Sequence, residues 1–188
     1  MNHKPKIPLR EKAVALTGAL TLAYTAWGFG GVIAWSMHIV LAGGLLTFAI
    51  AVVPLGGNRD SGSTRTPHPA SRISCLLLTS AFLIYLVIAA LNPAWQIASN
   101  ERGWWLESVP PPLASWLPTS VEAPYEPMNA WRIFNMHLAA FSLSLGLYLG
   151  IASRRTALFL LWSFLTSLSL MAAVAIFQKY TDSGMVLW

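Results

Sequence analysis

Between Lys12 and Arg59 the chain runs through residues 13–58, 46 positions, without one Asp, Glu, Lys or Arg. A helix needs about 20 apolar residues to cross the hydrocarbon of a bilayer. The window is therefore too long for one crossing helix and right for two. "WGFGG", Trp27 to Gly31, sits near its centre, where Gly28, Gly30 and Gly31 can supply a tight turn. Spans are expected near 12–28 and 32–54, the second ending at Pro54. The same reasoning reads "SCLLLTSAFLIYLVIAALNP" as a span near 74–92, "AWRIFNMHLAAFSLSLGLYLGIA" as one near 130–152 and "TALFLLWSFLTSLSLMAAVAIFQ" as one near 156–178.

Composition agrees. Charged residues make up 10% of the chain, against about 25% in an average soluble chain, and the mean hydropathy is +0.56. The expected fold class is all-α: a polytopic membrane protein, residues 1–188 forming a single membrane domain, with five transmembrane helices and one long Trp/Pro-rich periplasmic loop at 93–129. The basic start "NHKPKIPLREK" resembles the head of a signal peptide. The apolar run after it is too long and has no Ala-x-Ala site, so an uncleaved anchor is expected.

A net charge of +5 raises the question of nucleic acid, and the placement of the charges answers it. With the N-terminus in the cytoplasm, Lys4, Lys6, Arg10, Lys12, Arg59, Arg65, Arg72, Arg154 and Arg155 fall inside, and only Arg102, Arg132 and Lys179 fall outside. That is the positive-inside pattern of a membrane protein, so no nucleic-acid partner is expected. The C-terminus then lies outside, in the periplasm of a bacterial inner-membrane protein. The segment "GGNRDSGSTRTPHPAS" reads as a flexible cytoplasmic linker, and His68 within it as a solvated histidine.

The outer loop holds seven of the twelve prolines and four of the nine tryptophans, Trp95, Trp104, Trp105 and Trp116. Tryptophan favours the headgroup level, and proline breaks helices. The loop is expected to lie along the outer face, with Trp104, Trp105 and Trp116 either anchoring it or contacting a lipid-linked substrate or partner. Arg132 stands where α-helix begins near that face; it either holds a phosphate or snorkels. His137 lies within the fourth span and His38 within the second. No Asp or Glu lies within any span, and the histidines sit on different helices, so a haem or quinone site on them is a minor alternative. Cys75 stands alone, and no Cys/His spacing of metal type occurs; no metal and no cofactor are expected. Gly146 and Gly150 form a GxxxG on a small-residue stripe with Asn135, Ala139, Ser142 and Ser153, a helix-packing face expected to meet Ser163, Thr166 and Ser167 of the fifth span.

"SWLPTSVEAPYEPMNAWRIFNMHLAAF" resembles the periplasmic entry to a mid-chain helix in bacterial O-antigen ligase and polymerase-like proteins. "AVAIFQKYTDSGMVLW" resembles a later segment of the same family. The resemblance covers residues from about 93 to 188 by motif and 1–92 by topology alone. It implies handling of a polyprenyl-diphosphate-linked glycan on the periplasmic side; Arg132, His137, Trp104, Trp105 and Trp116, read from their own settings above, are the candidate lipid or glycan contacts. The family's working arginines and histidines lie further along its chains and match no position here, so no catalytic residue is carried over. The expectation is a truncated, split or shortened member, inactive alone and joined by a second membrane polypeptide. The competing expectation is a non-catalytic accessory or scaffold subunit.

Overall fold

The computed structural model describes residues 7–28, 34–53, 69–125 and 127–181. The Gly30–Gly31 turn, most of the basic linker with His68, and the end of the "AVAIFQKYTDSGMVLW" segment lie outside the described residues. The chain is mostly helical: α1 (Leu9–Trp27), α2 (Ala34–Val52), α3 (Pro69–Leu91), α4 (Ala130–Gly150) and α5 (Arg154–Tyr180). Four of these, α2 to α5, are long and apolar enough to cross a membrane. Helix α1 opens on Arg10, Glu11 and Lys12 and turns apolar from Ala13.

The segment 93–129 departs from the all-α expectation. It folds into a three-stranded sheet of β1 (Pro93–Asn100), β2 (Gly103–Ser108) and β3 (Ser120–Glu122) in the order β2-β1-β3. Its tryptophans draw attention as membrane anchors, yet "PAWQIASN" and "GWWLES" also supply the apolar and aromatic residues that strands favour. "NERG" between them makes a tight hairpin: Asn100 pairs with Gly103, and the Asn100 side-chain oxygen accepts from the Arg102 N–H at 2.8 Å. Gly103 has φ 145°, a conformation that a side chain would strain.

The described structure divides into two units, Met1–Thr66 with Ala139–Trp188, and Pro67–Leu138. In the first, most of the buried positions are small or hydroxylated: Ala15, Gly18 and Thr21 on α1, Ser36 and Thr47 on α2, Ala139, Ser142 and Gly146 on α4, Thr156 and Ser167 on α5, beside a few larger ones, Glu11, Val14, Met37, Leu143 and Leu160. The large apolar side chains, such as Leu16, Leu20, Leu45, Phe159 and Trp162, are exposed. This inverts the pattern of a water-soluble core and is what close helix packing in lipid requires. Hydroxyl bonds cross the interior: Thr47 Oγ1 donates to Thr17 Oγ1 at 3.2 Å, and the Trp27 indole N–H to Ser167 Oγ at 3.0 Å.

The glycine pair performs this close packing, but not against α5. A Cβ on Gly146 would stand 2.8 Å from the Phe48 backbone nitrogen of α2, and one on Gly150 would stand 2.6 Å from a Val14 methyl of α1. Ser167 of α5 instead receives the Trp27 bond from α1. Glycines at i and i+4 suit any close neighbour, so the motif alone does not name its partner.

Candidate functional site

The second unit carries the candidate site, and Asn92 organises it. This residue lies between the last residue of α3 and the first of β1, and it is 0% exposed. Its side-chain amide donates to the carbonyls of Ala114 at 3.0 Å and Pro118 at 3.2 Å, while its Oδ1 accepts from the Leu113 N–H at 3.0 Å. Its own carbonyl accepts from the Ser120 N–H at 3.4 Å. One side chain thus gathers the proline-rich segment 109–118 and the entry to β3 around the end of α3. A buried amide that satisfies three loop groups is costly to replace, because each would be left unpaired. Sequence reasoning passed over Asn92, although Asn-Pro closing an apolar run is a turn signal.

The start of α4 is pinned in a similar way. Asn129 Oδ1 accepts from the N–H groups of Trp131 at 3.0 Å and Arg132 at 3.1 Å, capping the start of α4. Its amide donates to the Ala123 carbonyl at 2.7 Å, and the Asn135 amide donates to the Tyr125 hydroxyl at 3.0 Å. Arg132 is therefore set in the first turn of α4, half-buried. His137 lies one and a half turns on. Its Nδ1 is 2.8 Å from the Ile133 carbonyl, which can only accept, so that nitrogen carries the proton. Its ring tilts against Phe82 of α3, with centroids 5.2 Å apart.

A cleft of about 290 Å³ opens where α3, β3 and α4 meet. Tyr85, Leu86 and Ala89 come from α3, Thr119 to Val121 from the start of β3, and Met128, Ala130 and Ile133 from the approach to α4. Its walls are mainly apolar, with the Thr119 and Ser120 hydroxyls among the lining side chains. The volume is at the lower end for small-molecule sites, enough for part of a chain-like ligand. None of its lining residues was singled out from sequence, because they come from three separate segments and look like ordinary span or loop residues.

The three tryptophans Trp104, Trp105 and Trp116 stand apart from one another in the local structure. Trp104 and Trp105 are consecutive on β2 and so point to opposite faces of the sheet. Trp116 sits in a turn between β2 and β3, 83% exposed. His38, on α2, belongs to the first unit and is exposed. Among the described residues no group of three His, Cys, Asp or Glu could hold a metal ion.

Comparison with protein-family models, with curated proteins and with solved structures gave no match to this chain.

Proposed function

We propose that the chain is the N-terminal membrane module of an O-antigen ligase/polymerase-like protein. In this reading all five helices cross the bacterial inner membrane, the N-terminus is cytoplasmic, and the sheet and cleft lie on the periplasmic side. The module holds the lipid end of a polyprenyl-diphosphate-linked glycan and transfers nothing by itself. The observation that carries the reading is the cleft: apolar walls from α3 and α4 suit a prenyl chain, and Arg132 lies on the same helical turn as the lining residues Ala130 and Ile133. In this reading the Arg132 guanidinium takes the phosphate head of a ligand whose hydrocarbon tail enters the slot. Transfer from such a carrier needs cations for the departing phosphate and a base for the incoming hydroxyl, and these would come from a second membrane polypeptide.

The test is binding of a polyprenyl diphosphate to the purified chain in detergent, followed by native mass spectrometry. The diphosphate should bind in preference to the free polyprenol. Arg132→Ala should erase that preference, and Ile133→Trp, which fills the cleft, should reduce binding of both. No binding, or binding unaffected by either change, overturns the reading. Incubation with a lipid-linked oligosaccharide should give no turnover; turnover by this chain alone would show that it carries its own transfer site.

A second reading, an accessory subunit without substrate, draws support from β2. This strand is at the edge of the sheet and exposed along its whole length, and such an edge can accept a strand from another polypeptide. Failure of the diphosphate to bind favours it.

A further inference from the structure

The β1–β2 hairpin has two chemically different faces. Ile97 lies opposite Leu106, Trp95 opposite Ser108, and Ser99 opposite Trp104. Residues paired across a ladder share a face, and alternate residues along a strand return to it. Trp95, Ile97, Leu106 and Trp104 therefore form one continuous apolar face, and all four are exposed. The other face carries Gln96, which pairs with Glu107 on one side and Glu122 on the other; its amide donates to the Glu107 carboxylate at 3.3 Å. Trp105, opposite Ala98, is on this second face.

Large apolar side chains left in water are costly in proportion to the area they expose, so an apolar face of two tryptophans, an isoleucine and a leucine implies a cover. Its position says what the cover is. Helix α3 is long and apolar enough to cross a membrane, and its Leu77, Leu78, Ile84 and Leu91 are exposed along its length. The hairpin begins one residue after α3 ends, and that residue, Asn92, is buried and fixed by its hydrogen bonds. At about 3.3 Å per strand residue, Trp95 is at most about 13 Å from the last residue of α3. The apolar face is thus continuous along the chain with the exposed apolar surface of α3, and tryptophan is enriched where a crossing helix reaches the membrane–water boundary.

We infer that the bilayer itself covers this face. Trp95, Ile97, Leu106 and Trp104 rest at the boundary between headgroups and acyl chains in the leaflet where α3 ends, and Gln96, Glu107, Glu122 and Trp105 face water. The hairpin is an interfacial element that fixes the depth and tilt of the sheet. The inference separates Trp104 from its neighbour Trp105, which sequence reasoning had placed together at the membrane. It is independent of whether the chain binds a glycan carrier.

The experiment uses the full chain in vesicles of phosphatidylethanolamine and phosphatidylglycerol. A nitroxide is attached in turn at Gln96→Cys, Ile97→Cys, Leu106→Cys and Glu107→Cys, in a Cys75→Ser background. Collision with oxygen, which concentrates in lipid, is compared with collision with a water-soluble nickel chelate. Positions 97 and 106 should favour oxygen several-fold over positions 96 and 107. Equal or inverted ratios overturn the inference. So does exclusion of both probes at 97 and 106 with spin–spin broadening, which would mean that a second copy is the cover. Native side chains give a second measurement. Brominated phospholipid should quench tryptophan emission of the whole chain, and Trp104→Phe should remove more of the quenched fraction than Trp105→Phe. An equal or reversed loss also overturns it.

Discussion

The carboxylate of Glu11 accepts a hydrogen bond from the backbone N–H of Ser153 at 2.8 Å, across 142 positions of sequence. Ser153 is the N-cap of α5: its hydroxyl oxygen accepts from the Thr156 N–H at 3.2 Å. In a capping box the N-cap's own N–H is taken by an acid three residues on. Here that position is Thr156, and an acid from another helix takes the part. Glu11 is 5% exposed, ahead of the apolar stretch of α1.

Removing this acceptor should weaken the first unit. Glu11→Ala leaves a cap N–H unpaired, at about 1–3 kcal/mol. Glu11→Gln keeps an acceptor and should lose less. Thermal unfolding in detergent measures both; a wild-type midpoint in Glu11→Ala would show that the bond contributes nothing.

The same pair sets a pH dependence. Burial pushes the Glu11 carboxyl up, but the hydroxyls of Ser153 and Thr156 and the backbone N–H groups of Ser153 and Ala152 outweigh it and hold the group below its ordinary value of 4.5. A depressed folded-state value means that the ionised form stabilises the fold above the ordinary value, and that this stability is lost as pH falls through the folded-state value. The midpoint difference between wild type and Glu11→Gln should be full at neutral pH and shrink below about pH 4.5. A difference that grows on acidification would contradict this origin.

Gly146→Ala should cost more than Gly150→Ala. The first Cβ meets the backbone of Phe48 and Thr47, which cannot turn aside; the second meets the side chain of Val14. Overpacking of this kind costs about 1–3 kcal/mol. Unfolding of the two variants by denaturing detergent gives the order, and an equal or reversed cost would mean that α2 yields more easily than α1.

Asn92→Ala should loosen segment 109–118 while sparing the helices. Three loop groups lose their partner, a loss of about 3 kcal/mol at the usual net value per bond. Hydrogen exchange should speed up at Leu113, whose N–H loses its acceptor, with α5 unchanged. Unaltered exchange at Leu113 would show that the prolines alone hold the loop.

The orientation is testable with an impermeant thiol reagent on intact cells in a Cys75→Ser background. Ser115→Cys should label, and Ala152→Cys, in the α4–α5 turn, should label only after permeabilisation. The opposite result reverses the proposed sidedness.

How much of this was legible in the sequence depended on the range of the interaction. Helices α2 to α5 follow from charge-free apolar windows, a local property, and each expected boundary lies within a few residues of the observed one except the start of α3, which opens at Pro69. The hairpin was written in the alternation of Trp95 and Ile97, of Trp104 and Leu106, and in the "NERG" turn. That signal is only a few residues long, and the preference of tryptophan for membrane surfaces obscured it. The cleft was not legible, since Tyr85, Val121 and Ile133 meet only through tertiary structure. Nor was the cap that Glu11 completes: a charged residue at a helix start looks like a solvated one until the chain returns 142 residues later.

That return has a consequence for biogenesis. The Pro67–Leu138 unit is one uninterrupted stretch, whereas the other is made from both ends of the chain. Ribosomes add about 5–20 residues per second, so roughly 7–30 s separate the emergence of Glu11 from that of Ser153. During that interval α1 has no α5 to pack on, and its acid has no cap to complete. The middle of the protein can take its local contacts first, and the bundle closes last, when the newest helix meets the oldest.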